Sequence, residues 1–196
     1  MTPALETALR CVADDARAGL LELWGRSTVV DENVGAPVID RALFDALHDA
    51  AGIAAAFPIG NAGVVHVYGY FFSDVPTPYG YKRDRWNDGA LARALDLPAS
   101  AFRLGDSPDE TPLARVTAAA LPLLREPPAG ATVLDVAVDG LATRAVVSAG
   151  TDGSGVLCYG VADRLVTLFP VADAAAFARE AAAEPPRLRW NAGLPA

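Results

Sequence analysis

The chain has very little lysine, histidine, cysteine and methionine, and each shortage removes a class of function. Its one lysine is Lys82, its two histidines are His48 and His66, and its two cysteines are Cys11 and Cys158. No Cys-x-x-Cys pair and no His-rich tract is present, so both cysteines read as small buried hydrophobes rather than as disulfide partners or metal ligands. A metal site would have to draw on His48 and His66 with carboxylates such as Asp45 or Asp49. His48 has no partner at His-x-x-x-His spacing, so a surface histidine is expected there and no metal site is assigned.

Long apolar runs are also missing. Charges interrupt the hydrophobic stretches every few positions, well short of the roughly 20 residues that span a bilayer, so no membrane partner is expected. The first ten residues, Met1 to Arg10, have neither a basic nor an apolar leader segment, and a cytoplasmic location is the expectation. Positive charge is scarce: the formal net charge is −8, which disfavours binding to nucleic-acid phosphates. A G-x-S-x-G elbow is absent, and no glycine fingerprint falls between a strand and a helix as a dinucleotide site requires. The one Gly-rich stretch, Gly150 to Gly155, lies between two strand patterns without a following helix, so it reads as a hairpin turn. No cofactor is implied by these patterns.

What is present is enough apolar material for a core. With 196 residues, 52% of them hydrophobic, residues 1–196 read as a single globular domain. Thr2 as N-cap and Pro3 at the first helical position open a helix whose apolar residues recur from Leu5 to Leu23, with an end near Gly25. Asp40 caps a second helix with Leu43, Phe44 and Leu47 on its apolar side, closed by Gly52 or Pro58.

From Val64 to Ser73 the β-branched and aromatic density predicts a strand, with His66, Tyr68 and Tyr70 on one face. Pro76, Pro78 and Gly80 make the segment from Asp74 to Trp86 an ordered loop, and a short helix follows over roughly Asp88 to Leu95. Ser107, Pro108 and Glu110 match a capping box, with Thr111 and Pro112 as a competing start, and Pro122 should kink or end that helix. Strands then follow over Thr132 to Val138 and Leu141 to Ser148 around an Asp139-Gly140 turn, and over Val156 to Gly160 and Arg164 to Phe169. Asp173 caps a last, Ala-rich helix ending before Pro185. The expected class is α+β, with a C-terminal antiparallel meander of about four strands plus an aromatic strand near 64–73, packed against several helices.

One region concentrates chemistry. Residues 66–86, HVYGYFFSDVPTPYGYKRDRW, hold four of the five tyrosines, the only lysine, one of the two histidines and one of the three tryptophans. Polar aromatic groups are costly on a plain core face, because each must find a hydrogen-bond partner, and they suit a pocket that needs an apolar body with a polar tip. On this reading His66 is the general acid or base, and Tyr68 and Tyr70 orient substrate or stabilise a developing oxyanion. Lys82, Arg83 and Arg85 could supply a carboxylate or phosphate anchor, with Lys82 and Arg85 holding the substrate carboxylate, while Tyr79 and Trp86 form a wall or lid.

Asp31, Glu32 and Asn33 could bring a carboxylate to the same place as general base, but a polar, solvated loop is the expected reading of them. The expected function is cofactor-independent acid–base chemistry on a small anionic metabolite. The same letters also fit a structural aromatic strand beside a basic surface loop pairing Asp84 and Asp88, or a noncatalytic surface for a partner protein, since Tyr, Trp and Arg mark interfaces as well. A homodimer through the sheet or the first helix is compatible with so apolar a chain, but no seam specifies it.

Overall fold

The computed structural model describes residues 1–107, 109–138 and 140–183. The roles expected of Pro108, Asp139 and Pro185 fall outside them. Helix α1 runs Pro3–Arg17, with the Thr2 hydroxyl accepting from Leu5 N–H at 3.3 Å. It stops well before Gly25, because Gly19 takes a left-handed conformation and a separate 3₁₀ turn, Leu20–Leu23, carries the remaining leucines. Short strands β1 (Arg26–Thr28), β2 (Val30–Asp31) and β3 (Ala36–Pro37) lead to α2, Arg41–Ala51. Asp40 caps α2 through a 2.7 Å bond from Leu43 N–H, and Gly52 closes it with φ +66°. Strand β4 (Ile59–Asn61) then pairs antiparallel with β1, setting Ser27 opposite Gly60.

The aromatic segment is the main correction. Residues 62–71 are helical rather than extended, and Val64–Gly69 form a π helix. Its start is fixed by Asn61, whose Oδ1 accepts from Gly63 N–H at 3.0 Å and Val64 N–H at 3.2 Å. Val64, Val65, Val67, Tyr68, Tyr70 and Phe71 are all buried, so the apolar letters serve a helix enclosed on nearly every side, and burial overrides strand propensity. Close packing needs glycine here: a Cβ on Gly69 would lie 2.4 Å from Ile39 Cδ1, and one on Gly63 would lie 2.9 Å from Trp24 Cγ.

Within the expected ordered loop, β5 (Pro76–Thr77) and β6 (Gly80–Tyr81) pair as a two-stranded hairpin. It feeds α3 (Asp84–Asn87) and α4 (Ala90–Arg93), two single turns where one short helix was expected, separated by Gly89 with φ +72°. Helix α5, Pro112–Arg125, starts at the Thr111 cap, and Ser107 caps only the turn before it. Pro122 does not end the helix, which continues to Arg125.

The C-terminal meander is as expected: β7 (Thr132–Val138), β8 (Leu141–Ala149), β9 (Gly155–Val161) and β10 (Arg164–Val171) form one antiparallel sheet in the order β10-β9-β8-β7. The Gly150–Gly155 stretch turns β8 into β9 and is closed by a 2.7 Å bond from Gly150 N–H to Ser154 O. Helix α6, Ala174–Ala183, follows its Asp173 cap. The class is α+β. The N-terminal elements join the sheet at β10, where Gly25 N–H donates to Leu165 O at 2.7 Å, and one hydrophobic cluster runs from Ala8 in α1 to Ala174 in α6. Among the described residues no helix is long and apolar enough to cross a membrane.

Candidate functional site

The π helix divides the expected site in two. His66 and Tyr70, four residues apart, come together, with ring centroids 4.8 Å apart and the planes at 83°. Tyr68 leaves this group, because two helical residues turn the side chain by roughly half a turn, whereas on a strand it would have shared their face. Its hydroxyl donates to the carboxylate of Asp15 in α1, which also accepts from the Thr111 hydroxyl at the start of α5. Burial raises the pKa of both Tyr68 and Asp15, which lie fully within the core, with Thr111 partly buried at its edge.

On the His66 side, neighbours come from distant parts of the chain. The Ser27 hydroxyl on β1 lies 2.8 Å from His66 Nε2. Ser27 is fully buried, and a buried hydroxyl proton needs an acceptor. Nε2 is the acceptor on hand, so Ser27 donates to it and the ring proton sits on Nδ1. Burial, reinforced by the positive charges of Lys82 and Arg85, pushes the His66 pKa down to about 3, so the ring is neutral at physiological pH. His66 nonetheless keeps partial exposure, and its Nδ1 is not among the sealed unpartnered polar atoms.

Lys82 is an anchor already in use. Only 7% exposed, it pairs with Asp31 Oδ2 at 2.6 Å and lies 4.9 Å from the Tyr70 ring centroid. Asp31 is therefore not the carboxylate of a solvated loop. Burial opposes its ionisation, but the bonds from Lys82 and from the N–H groups of Asn33 and Val34 outweigh it and hold the pKa below the usual carboxylate value. Burial lowers the Lys82 pKa in turn, more than Asp31 raises it.

Arg85, on α3, is different. Its guanidinium lies 5.8 Å from the ring centroid of Phe169 on β10, within electrostatic reach of Tyr70, Asp31, Lys82 and His66. No hydrogen bond or ion pair holds it among the described residues. Burial lowers its pKa, yet a guanidinium does not lose its proton in a protein. Tyr70 is similar: the residue is 7% exposed, burial raises its pKa, and its hydroxyl neither finds a partner among the described residues nor belongs to the sealed polar atoms. The geometry therefore gathers three unengaged hydrogen-bonding groups, the Arg85 guanidinium, the Tyr70 hydroxyl and the His66 Nδ1–H, beside a buried Lys82–Asp31 pair.

The other candidates lie elsewhere. Arg83 is an outer residue, with Cζ 4.7 Å above the Tyr81 ring and Nε 3.7 Å from Asp84. Tyr79 stands at the tip of the β5–β6 hairpin and is 74% exposed. Trp86 is buried against Phe71 and Phe102, and its Nε1 has no partner among the described residues.

His48 is not the surface histidine that its acidic neighbours suggested. It is buried in a fixed neutral tautomer, with Nδ1–H donating to Phe44 O at 2.8 Å and Nε2 accepting from Asn61 N–H at 3.1 Å. It supports β4 directly, since a Cβ on Gly60 would lie 2.2 Å from its Nε2. Among the described residues no three His, Cys, Asp or Glu side chains gather as a metal site would require.

Two open grooves, of about 460 and 490 Å³, lie away from these residues, between the end of α5 and β7–β8 and along the start of α1. The first contains Arg144, whose donors are taken by Asp135 at 2.7 and 2.9 Å and by Leu124 O at 3.1 Å. Neither groove is lined by His66, Tyr70 or Arg85. Ser27 and Phe169 were not foreseen from sequence, and nothing local marks either one. Comparison with known protein families, with curated proteins and with solved structures gives no match to this chain, so the site is read from its own residues.

Proposed function

We propose that this protein binds a small carboxylate-bearing metabolite at Arg85 and performs acid–base chemistry on it with His66. The observation that carries the reading is Arg85, a cation largely surrounded by protein, with no anionic partner among the described residues, next to two unengaged hydrogen-bond donors. Leaving a charge in such a setting without a counterion is costly, and a bidentate carboxylate is the natural partner of a guanidinium.

In the free protein His66 is a weak base, because Lys82 and Arg85 add to the burial that depresses its pKa. A bound carboxylate neutralises that positive field and raises the His66 pKa toward the range useful for proton transfer. Tyr70, with its pKa raised, remains a phenol that can donate to oxygen on the substrate.

The test is a thermal-shift screen of the full chain against small anions, in parallel with Arg85→Ala and His66→Ala. At about 100 times its dissociation constant a ligand adds roughly 2.7 kcal/mol, a shift of several degrees for a chain of this size. A shift that appears in the wild type and is lost in folded Arg85→Ala supports the reading. The absence of any shift across the panel goes against it.

A second reading, a noncatalytic contact with a partner protein, is favoured by Tyr79. A tyrosine 74% exposed on a hairpin held by Thr77 is a preformed aromatic anchor. The two readings separate at one residue: Tyr79→Ala weakens a protein contact and leaves metabolite binding at Arg85 intact.

A further inference from the structure

We infer that the ligand is a monoanionic carboxylate carrying one uncharged oxygen, a hydroxyl or a carbonyl, next to the carboxylate. The inference rests on the proposed metabolite reading and narrows its substrate class.

The first argument is charge balance. Two cations, Lys82 and Arg85, and one anion, Asp31, lie within the cluster, while His66 and Tyr70 are neutral. Glu32, the other acid that acts on Lys82, is exposed and screened by water. The site is short of one negative charge, not two. A dicarboxylate or a phosphate dianion would leave an excess negative charge close to Asp31, in a partly buried part of the molecule where water offsets it only in part.

The second argument is the kind of group left free. With Ser27 donating to Nε2, His66 offers Nδ1–H, Tyr70 offers O–H, and Arg85 offers its fork. The free edge is therefore composed of donors, and it suits a ligand rich in oxygen acceptors. A carboxylate engages the guanidinium with two parallel bonds. The Tyr70 and His66 donors, on rings 4.8 Å apart, then require a further oxygen, and charge balance makes that oxygen neutral. The third argument is size: Tyr70 and Lys82 are each only 7% exposed, so little surface remains for a ligand to cover. A few heavy atoms fit that description, and a nucleotide or peptide does not.

The experiment is calorimetric titration of the full chain at constant ionic strength with glycolate, pyruvate, propionate, oxalate and inorganic phosphate. Glycolate or pyruvate should bind about tenfold tighter than propionate, as expected for one or two added hydrogen bonds of about 1 kcal/mol each. Oxalate and phosphate should bind more weakly than either. Tyr70→Phe should lower the ratio of glycolate to propionate affinity several-fold, leaving the part that the His66 donor supplies, without abolishing propionate binding, and Arg85→Gln should abolish both.

Tighter binding of phosphate or oxalate than of glycolate overturns the inference and leaves the anion reading standing. An unchanged ratio in folded Tyr70→Phe also overturns it. Binding of none of the five anions, with the wild type folded, removes the metabolite reading and this inference together.

Discussion

The two polar clusters on either side of the π helix use the same kinds of group in opposite ways. Around Asp15 every donor is spent: the Tyr68 and Thr111 hydroxyls both end on the carboxylate, and Asp15 and Tyr68 are buried in the core. Around Arg85 only part of the chemistry is closed. Lys82 and Asp31 satisfy each other and Ser27 satisfies one edge of His66, while the Arg85 guanidinium, the Tyr70 hydroxyl and the other edge of His66 have no hydrogen-bond or ion-pair partner among the described residues. A saturated buried cluster ties elements together, in this case α1, the π helix and the start of α5. An unsaturated one is the expected signature of a site that awaits a ligand. π-helical turns are rare and concentrate at functional sites, and here one puts two tyrosines two residues apart into the two different environments.

The largest effect should come from breaking the closed part of the open cluster. Lys82→Ala leaves the Asp31 carboxylate buried without its cation, at a cost of about 3–5 kcal/mol. Urea denaturation should show this loss, and the double variant Lys82→Met with Asp31→Leu should recover most of it. A loss under about 1 kcal/mol for Lys82→Ala would mean that the pair is not buried in solution.

Asp15→Ala comes next, at roughly 2–3 kcal/mol, because it strands two hydroxyls instead of one charge. It should leave anion binding at Arg85 unchanged in the protein that remains folded.

The clusters should also answer pH with opposite sign. Burial raises the Asp15 pKa above its unfolded value, so its contribution is fully present below the usual carboxylate range and is lost as pH rises through the folded value. The stability gap between wild type and Asp15→Asn should therefore widen on acidification. His66 is depressed to about 3, so its contribution is present above the unfolded value near 6.5 and is lost as pH falls toward 3. The gap between wild type and His66→Gln should narrow over that window. Denaturant titrations of the three proteins between pH 4 and 8 check both signs, and parallel curves would erase the distinction between the clusters.

The parts of this arrangement that could be read from sequence are the ones specified locally. Thr2 with Pro3, Asp40, Thr111 with Pro112, and the paired strands after Thr132 announce themselves within a few residues, and each stands where its signal put it. Residues 64–73 misled because valine and aromatic density looks the same for a central strand and for a helix buried on nearly all sides. The distinguishing signals were weaker: Asn61 as a cap, and glycines at 63 and 69 where neighbouring side chains press on the backbone. That one reversal of periodicity decided which tyrosine joined His66. Lys82 stood out as the only lysine, and Asp31 was a candidate carboxylate, but their pairing spans about fifty residues and has no local mark. Ser27 and Phe169 reach the site only through tertiary packing, from β1 and β10.

The smallest effect is the one that separates the two clusters most directly, because it makes the same change on each side of the π helix. Tyr68→Phe removes a donor from a buried carboxylate and should cost about 1–2 kcal/mol, since Asp15 then keeps only the Thr111 hydroxyl. Tyr70→Phe removes a hydroxyl with no partner among the described residues, keeps the ring against His66 and beneath Lys82, and should change stability by less than about 0.5 kcal/mol. In binding the order should reverse, with Tyr68→Phe indistinguishable from wild type and Tyr70→Phe weakening the preference for an oxygen next to the carboxylate. Paired denaturation curves and titrations decide it. Equal stability losses for the two variants would mean that the Tyr70 hydroxyl is engaged within the protein, and that the cluster around Arg85 is as closed as the one around Asp15.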